Sequence, residues 1–147
     1  MTTLLSACRN GNCDRALEIL KSGNFDLKKT YGYTILMLAI RNGMRNIALE
    51  ILKYPDQCKL DNVNKHRDTA LTLAIDKGME NAALEILKYP NQCDLNHVDN
   101  HGDTALIYAI LHNMENVALE ILKYPNQCNL SQANKYGRTA LKYAIHR

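Results

Sequence analysis

The chain has 147 residues, 46% of them hydrophobic and 22% charged, the size and balance of one globular domain and unlike a disordered or fibrous chain. Lys and Arg number 18 against 15 Asp and Glu, for a formal net charge of +3, and the signs are interspersed, so no dedicated electrostatic grip on nucleic acid is expected. No apolar run nears the roughly 18 residues of a membrane helix, and Met1-Thr2-Thr3-Leu4-Leu5 is not the start of a secretory signal; no membrane partner and a cytoplasmic location are expected.

From the N-terminus, RNGNCDRALEILKSGN (from Arg9) matches RNGMRNIALEILKYPD (from Arg41) at an offset of 32, so a first copy begins near Thr2. TILMLAI at Thr34, TALTLAI at Thr69, TALIYAI at Thr104 and TALKYAI at Thr139 then recur every 35 residues. The chain divides into repeats 2–33, 34–68, 69–103 and 104–138 and a half repeat 139–147, and such self-similarity is the mark of a stacked-repeat architecture.

Each copy reads as two helices and a turn. Thr104 is an N-cap, and Leu106, Ala109 and Ile110 recur at i, i+3 and i+4, the spacing of one helical face. This first helix should stop at Gly11, Gly43, Gly78 and Asn113, residues suited to a left-handed closing turn. The second helix points Val117, Ala118, Ile121 and Leu122 inward and Glu120 to water. Pro55, Pro90 and Pro125 prevent it from passing Tyr54, Tyr89 and Tyr124, and Gly23 ends it in the first copy. A loop with Leu60, Leu95 or Leu130 follows. A tight turn comes next, in which Asp99 or Asn134 bonds its own downstream backbone and Gly102 or Gly137 takes a positive φ. Arg67 stands at the glycine position of the earlier turn and is expected to weaken it or alter its type.

VDNHGDT and ANKYGRT before the capping threonine, TALIYAI, the helix-ending glycine and the NVALEIL stripe together resemble the ankyrin-repeat family over essentially the whole chain. The resemblance implies an all-α solenoid of stacked helix-turn-helix units with hairpin-like turns, here four full repeats and a C-terminal half repeat. The family's proline becomes Ile35, Ala70, Ala105 and Ala140 and its histidine Met37, Thr72, Ile107 and Lys142, which removes the usual threonine–histidine bonding. Lower stability than that of a consensus array is expected. The near-identical copies resemble expanded arrays of large DNA viruses and of intracellular bacteria of amoebae, which would place the chain in a host cytosol and point to an adaptor in host–pathogen interaction.

A repeat of this size buries both apolar stripes only between neighbours. Arg15, where later copies carry Ile47, Ala82 and Val117, reads as part of an N-terminal cap, whereas Leu141 and Ile145 lack a second helix of their own. Either the half repeat is a crude lid or the array continues beyond it. A monomer is expected, with weak self-association through that half repeat.

The resemblance assigns recognition of a protein partner to the concave side, formed by hairpin tips and the inner face of the first helix. Here those positions are Thr30, Tyr31, Tyr33, Arg41 and Asn42; Lys65, His66, Asp68, Asp76 and Lys77; Asn100, His101, Asp103, Leu111 and His112; and Lys135, Tyr136 and Arg138, with Tyr108 beside them. Residues 69–103 and 104–138 differ at 14 of 35 positions, five of them tip or helix-end positions of this set, while ALEILKYPNQC is identical in both. Tyrosine and arginine at such places suit an interface because they join large contact area to a polar end.

Leu17, Leu49, Leu84 and Leu119 add an apolar residue beside the second-helix stripe. Either the loop leucines fold over them, or they form an outer strip for a second partner or for self-association. Cys8, Cys13, Cys58, Cys93 and Cys128 are odd in number, and the last three repeat every 35 residues. They read as separate reduced thiols, not a disulfide framework or a zinc site. No nucleophile elbow, P-loop or H-E-x-x-H motif occurs, and His97 and His101 fall in a loop. The expectation is therefore a non-catalytic scaffold with no cofactor and no metal, the alternative being a metal- or thiol-dependent enzyme or a redox sensor using the loop cysteines.

Overall fold

The computed structural model describes residues 3–28 and 32–146. Among these, nine α-helices and no strands occur: α1 (Leu4–Arg9), α2 (Cys13–Ser22), α3 (Ile35–Arg41), α4 (Arg45–Ile51), α5 (Ala70–Asp76), α6 (Glu80–Ile86), α7 (Ala105–Leu111), α8 (Glu115–Leu122) and α9 (Ala140–Ile145). Each first helix packs on the next, giving a layer α1-α3-α5-α7-α9, and the second helices form a parallel layer α2-α4-α6-α8. This is the expected helix-turn-helix solenoid. None of the described helices is long and apolar enough to cross a membrane.

The threonines start the first helices. The Thr34, Thr69, Thr104 and Thr139 hydroxyls accept the backbone N–H groups of Met37, Thr72, Ile107 and Lys142 at 3.1–3.3 Å, each satisfying one donor left over at a helix start. Thr3 caps α1, one residue later than the offset implies, in a capping box with Ser6. At the family's histidine position, the Thr72 hydroxyl donates to the Thr69 carbonyl at 3.1 Å and accepts from the Thr69 N–H at 2.9 Å. Asn12 caps α2 in the same way, its Oδ1 accepting the Arg15 N–H at 3.1 Å, but the later second helices begin differently. Met44, Met79 and Met114 occupy the N-cap with no side-chain bond, and their N–H groups bond to the carbonyls of Ala39, Ala74 and Ala109. All three methionines are buried, so the tight turn between the helices is itself part of the core.

Burial departs from the expected single stripe on the first helices. Ile35 to Ile40 and Ala70 to Ile75 are buried without a break, because α3 and α5 are enclosed by first helices before and after and by the second-helix layer behind. Leu60 and Leu95 are 2% exposed, as is Leu27, which closes the shorter first loop. Leu17, Leu49 and Leu84 are half-buried, so neither of the two expected arrangements is complete.

Several expectations fail in the fourth repeat. Val117 and Ile121 are buried, but Leu122 is 42% exposed, whereas Leu52 and Leu87 are buried; among the described residues no later second helix stands over α8. Leu119 is exposed for the same reason. Glu120 is partly buried beside Lys123, their charged atoms 2.6 Å apart. The helices also end before the prolines compel it. α4 and α6 stop at Ile51 and Ile86, and Pro55 opens a 3-10 turn, Pro55–Gln57.

The Arg67 turn is unaltered in type. Asn64 N–H bonds to Asp68 O and Arg67 N–H to Asn64 O, as Asp99 N–H bonds to Asp103 O and Gly102 N–H to Asp99 O. Arg67 achieves this at a φ of 66°, a left-handed conformation that costs a residue with a Cβ about 1–2 kcal/mol. The cost falls on Arg67 and not on the turn's geometry.

Candidate functional site

The hairpin tips of the second, third and fourth repeats are each built on a buried side chain. Asn64, Asp99 and Asn134 are buried. Their Oδ1 atoms accept the N–H groups two and four residues on, from His66 and Asp68, His101 and Asp103, and Tyr136 and Arg138, at 2.8–3.0 Å. These turns leave Lys65, His66, Asn100, His101, Lys135 and Tyr136 exposed, Tyr136 by 72%. The tips also tie to one another. The Lys135 N–H donates to the His101 carbonyl at 2.9 Å, Asn134 Nδ2 donates to Asp103 Oδ1 at 2.8 Å, and His97 Nε2 lies 2.6 Å from the Arg67 carbonyl oxygen. A Cβ on Gly102 would lie 3.0 Å from the Asn134 Cα, so glycine there answers both to a φ of 80° and to the approach of the next hairpin.

The ends of the first helices supply the second row. Arg41 is exposed with its guanidinium 5.1 Å from the Tyr33 ring centre, within cation–π range. Asp76 and Lys77 are exposed. His112 Nε2 lies 3.6 Å from Asp76 Oδ1, and its ring stacks on Tyr108 with centroids 6.2 Å apart. Leu111 is 40% exposed. Arg138 is exposed with its guanidinium 5.7 Å over the Tyr143 ring. Tyr31, like Thr30, lies outside the described residues.

Three of the expected residues serve the scaffold as well. Asn42 Nδ2 donates to the carbonyls of Cys8 at 2.6 Å and Arg9 at 3.2 Å, and so closes the end of α1; this amide is engaged within the array. The Tyr108 hydroxyl donates to Asp99 Oδ2 at 2.6 Å. Burial and that carboxylate push its pKa up, so Tyr108 offers a neutral ring edge. Asp103 is the acceptor of Asn134. Burial raises the pKa values of Asp68 and Asp103, and the nearby Asp99 charge adds to this against the lowering effect of their asparagine partners.

Sequence reasoning missed Tyr143, whose hydroxyl accepts from Asn134 Nδ2 at 2.8 Å. Its position 35 residues after Tyr108 was the available signal. The inner face of the first helix is also narrower than expected, because only helix ends and tips reach solvent in the second and third repeats.

The thiols are set apart from this face. Cys58, Cys93 and Cys128 are buried and unbridged, and their Sγ atoms lie 3.2–3.5 Å from the carbonyls of Tyr54, Tyr89 and Tyr124. Burial pushes the Cys58 thiol up to about 12 and that of Cys93 to about 11, and raises Cys128, which suppresses the thiolate that nucleophilic or redox chemistry needs. Among the described residues, no group of three His, Cys, Asp or Glu side chains is placed to hold a metal ion. The family model described as ankyrin repeats (3 copies) matches residues 48–132 and 83–147. No curated protein matches the chain.

Proposed function

Because the chain belongs to the ankyrin-repeat family, whose arrays are in general protein–protein interaction modules and typically non-enzymatic, we propose that it is an adaptor whose partner docks across the hairpin tips and first-helix ends. The observation that carries this reading is the division of labour between repeats three and four. ALEILKYPNQC is unchanged while the exposed tips change from Asn100-His101 to Lys135-Tyr136 and the helix ends from Asp76-Lys77 to Leu111-His112. Holding the second-helix stripe while the exposed tips and helix ends change is what a scaffold that reads a partner at those positions would do.

The surface is mixed in character. Asp68, Asp76 and Asp103 occupy its middle, Tyr33 with Arg41 lies toward one end, and Tyr136 with Arg138 toward the other. Lys65 and Lys77 stand among those carboxylates, so the middle is of mixed charge, and the row suits an extended or helical segment with apolar anchors at its edges. Neither a cofactor nor a metal enters this reading, and the proposed setting is the cytoplasm, or a host cytosol if the chain is a viral or bacterial effector. A photo-crosslinking residue placed in turn at Lys65, His101 and Tyr136, and at Glu50 on the second-helix layer, tests it. Capture of one protein from the tip positions alone is the expected result; capture from Glu50 alone rejects the reading.

A further inference from the structure

A groove of about 320 Å³ lies between α4 and α6, lined by Arg45, Asn46 and Leu49 on one wall and Met79, Asn81 and Ala82 on the other. Both helices have second helices packed on either side of them, so the groove belongs to the stacked middle of the array. Each wall repeats one pair. Asn46 with Leu49, and Asn81 with Leu84, stand three residues apart and so share a helix face; Asn116 continues the row on α8. The three asparagines are exposed, their side-chain amides engage no other group, and asparagine is among the poorer helix formers. Their neighbours change from copy to copy, Arg45, Glu80 and Glu115 before and Ile47, Ala82 and Val117 after, while the asparagine stays. Leu49 and Leu84 are half-buried, so each repeat sets one free amide beside a strip of apolar wall.

The spacing of that row selects a ligand. Packed helices lie about 8–10 Å apart. A polyproline II helix has three residues per turn at about 3.1 Å each, so one turn spans about 9 Å and brings the same edge of the ligand to every amide. A β-strand covers that distance in about three residues and would turn opposite faces to successive repeats. An α-helix would make about 1.7 turns, and its backbone is already hydrogen-bonded to itself. The polyproline II backbone has no internal hydrogen bonds, which leaves its carbonyls free for asparagine Nδ2 donors while its rings lie on Leu49 and Leu84.

Charge narrows the ligand further. Glu80 and Glu115 open α6 and α8 without an ion-pair partner, whereas Glu50, Glu85 and Glu120 on the second helices are each paired with a lysine. Arg45, at the same place on α4, donates to the Gly78 carbonyl at 3.2 Å and keeps its charge. The row is therefore basic at α4 and acidic at α6 and α8, with Lys77 nearby in the helix-end row already described.

We propose that the groove across α4, α6 and α8 binds a proline-rich segment in the polyproline II conformation, with Lys or Arg where it passes Glu80 and Glu115. Asn46, Asn81 and Asn116 donate to its backbone carbonyls one turn apart. The site takes a second partner, distinct from that of the tips, and so goes beyond the adaptor reading. Fluorescence anisotropy of the full chain with a labelled peptide of three Pro-Pro-Lys triplets tests it, beside a peptide of three Gly-Gly-Lys triplets with the same charge. The expected result is saturable binding of the proline peptide with a Kd between about 1 µM and 1 mM. It is weakened at least tenfold by Asn46→Ala with Asn81→Ala, weakened by Glu80→Lys, and unmoved by Tyr136→Ala. Both asparagines are exposed and alanine is the better helix former, so the melting temperature of the double variant is not lowered. Absence of binding at about 1 mM, equal affinity for the glycine peptide, or indifference to the asparagine pair overturns the proposal. Loss of binding in Tyr136→Ala overturns it in favour of the tips.

Discussion

The two ends of the array are finished in opposite ways. At the N-terminal end no large hydrophobic residue before Tyr54 is exposed among the described residues. Polar groups stand there, the capping box of Thr3 and Ser6 and the Arg15–Glu18 pair, and Phe25 meets Tyr54 edge-on with 5.3 Å between ring centres. At the other end Leu119, Leu122, Leu130, Leu141 and Ile145 stand in solvent. The outward residues of the two end repeats therefore differ in kind. Repeat one has changed them, and repeat four has not.

The largest expected effect that tests this contrast is on identical letters in different places. Leu87→Ala removes a side chain that is 1% exposed and should cost about 2–5 kcal/mol. Leu122→Ala, measured by urea unfolding at low micromolar concentration, should cost about 1 kcal/mol or less. Equal losses would mean that α8 is covered after all. The hairpins give the next comparison. Gly102→Ala meets the Asn134 backbone and a positive φ together, and Gly137→Ala meets only the φ. Both should destabilise, the first by about 1–3 kcal/mol more; similar values would show that the last hairpin moves aside freely. Arg67→Gly runs the other way and should stabilise by about 1 kcal/mol, less whatever the freer unfolded chain takes back; a loss of stability would show that Arg67 contributes more than strain.

The smallest effects concern the thiols. Under native conditions an alkylating reagent followed by mass spectrometry should label exposed Cys13 first, then Cys128 in the open end repeat, and Cys8, Cys58 and Cys93 last. Labelling of Cys58 before Cys128 would contradict the order of the two ends. Thiols whose folded pKa is raised from 9.0 to about 12 at Cys58 and about 11 at Cys93 contribute stability that is complete below pH 9. It declines above that, as the unfolded chain loses those protons first. Thermal melts between pH 8 and 11 should show this decline, and Cys58→Ala should reduce it.

The period and the four capping threonines made the helix-turn-helix order legible before any coordinates, because a repeated pattern carries its own alignment. Burial at the open end was not legible. Residues 83–93 and 118–128 have the same sequence, yet Leu87 is buried and Leu122 is not, so position in the stack decides where composition cannot. The tips were legible through the turn chemistry of Asp99 and Asn134. The engagement of Asn42 with the end of α1 was not, since its acceptors lie 33 and 34 residues away and nothing local marks them. Leu27 escaped notice because the first loop is shorter and breaks the register.

The buried methionines at the starts of α4, α6 and α8 have a consequence for life under peroxide. Met44, Met79 and Met114 sit where chain and core meet, and a sulfoxide there would place a polar, chiral group inside the joint. Oxidative damage should then pass inward from Met114, the least shielded of the three, and loosen the array one hinge at a time.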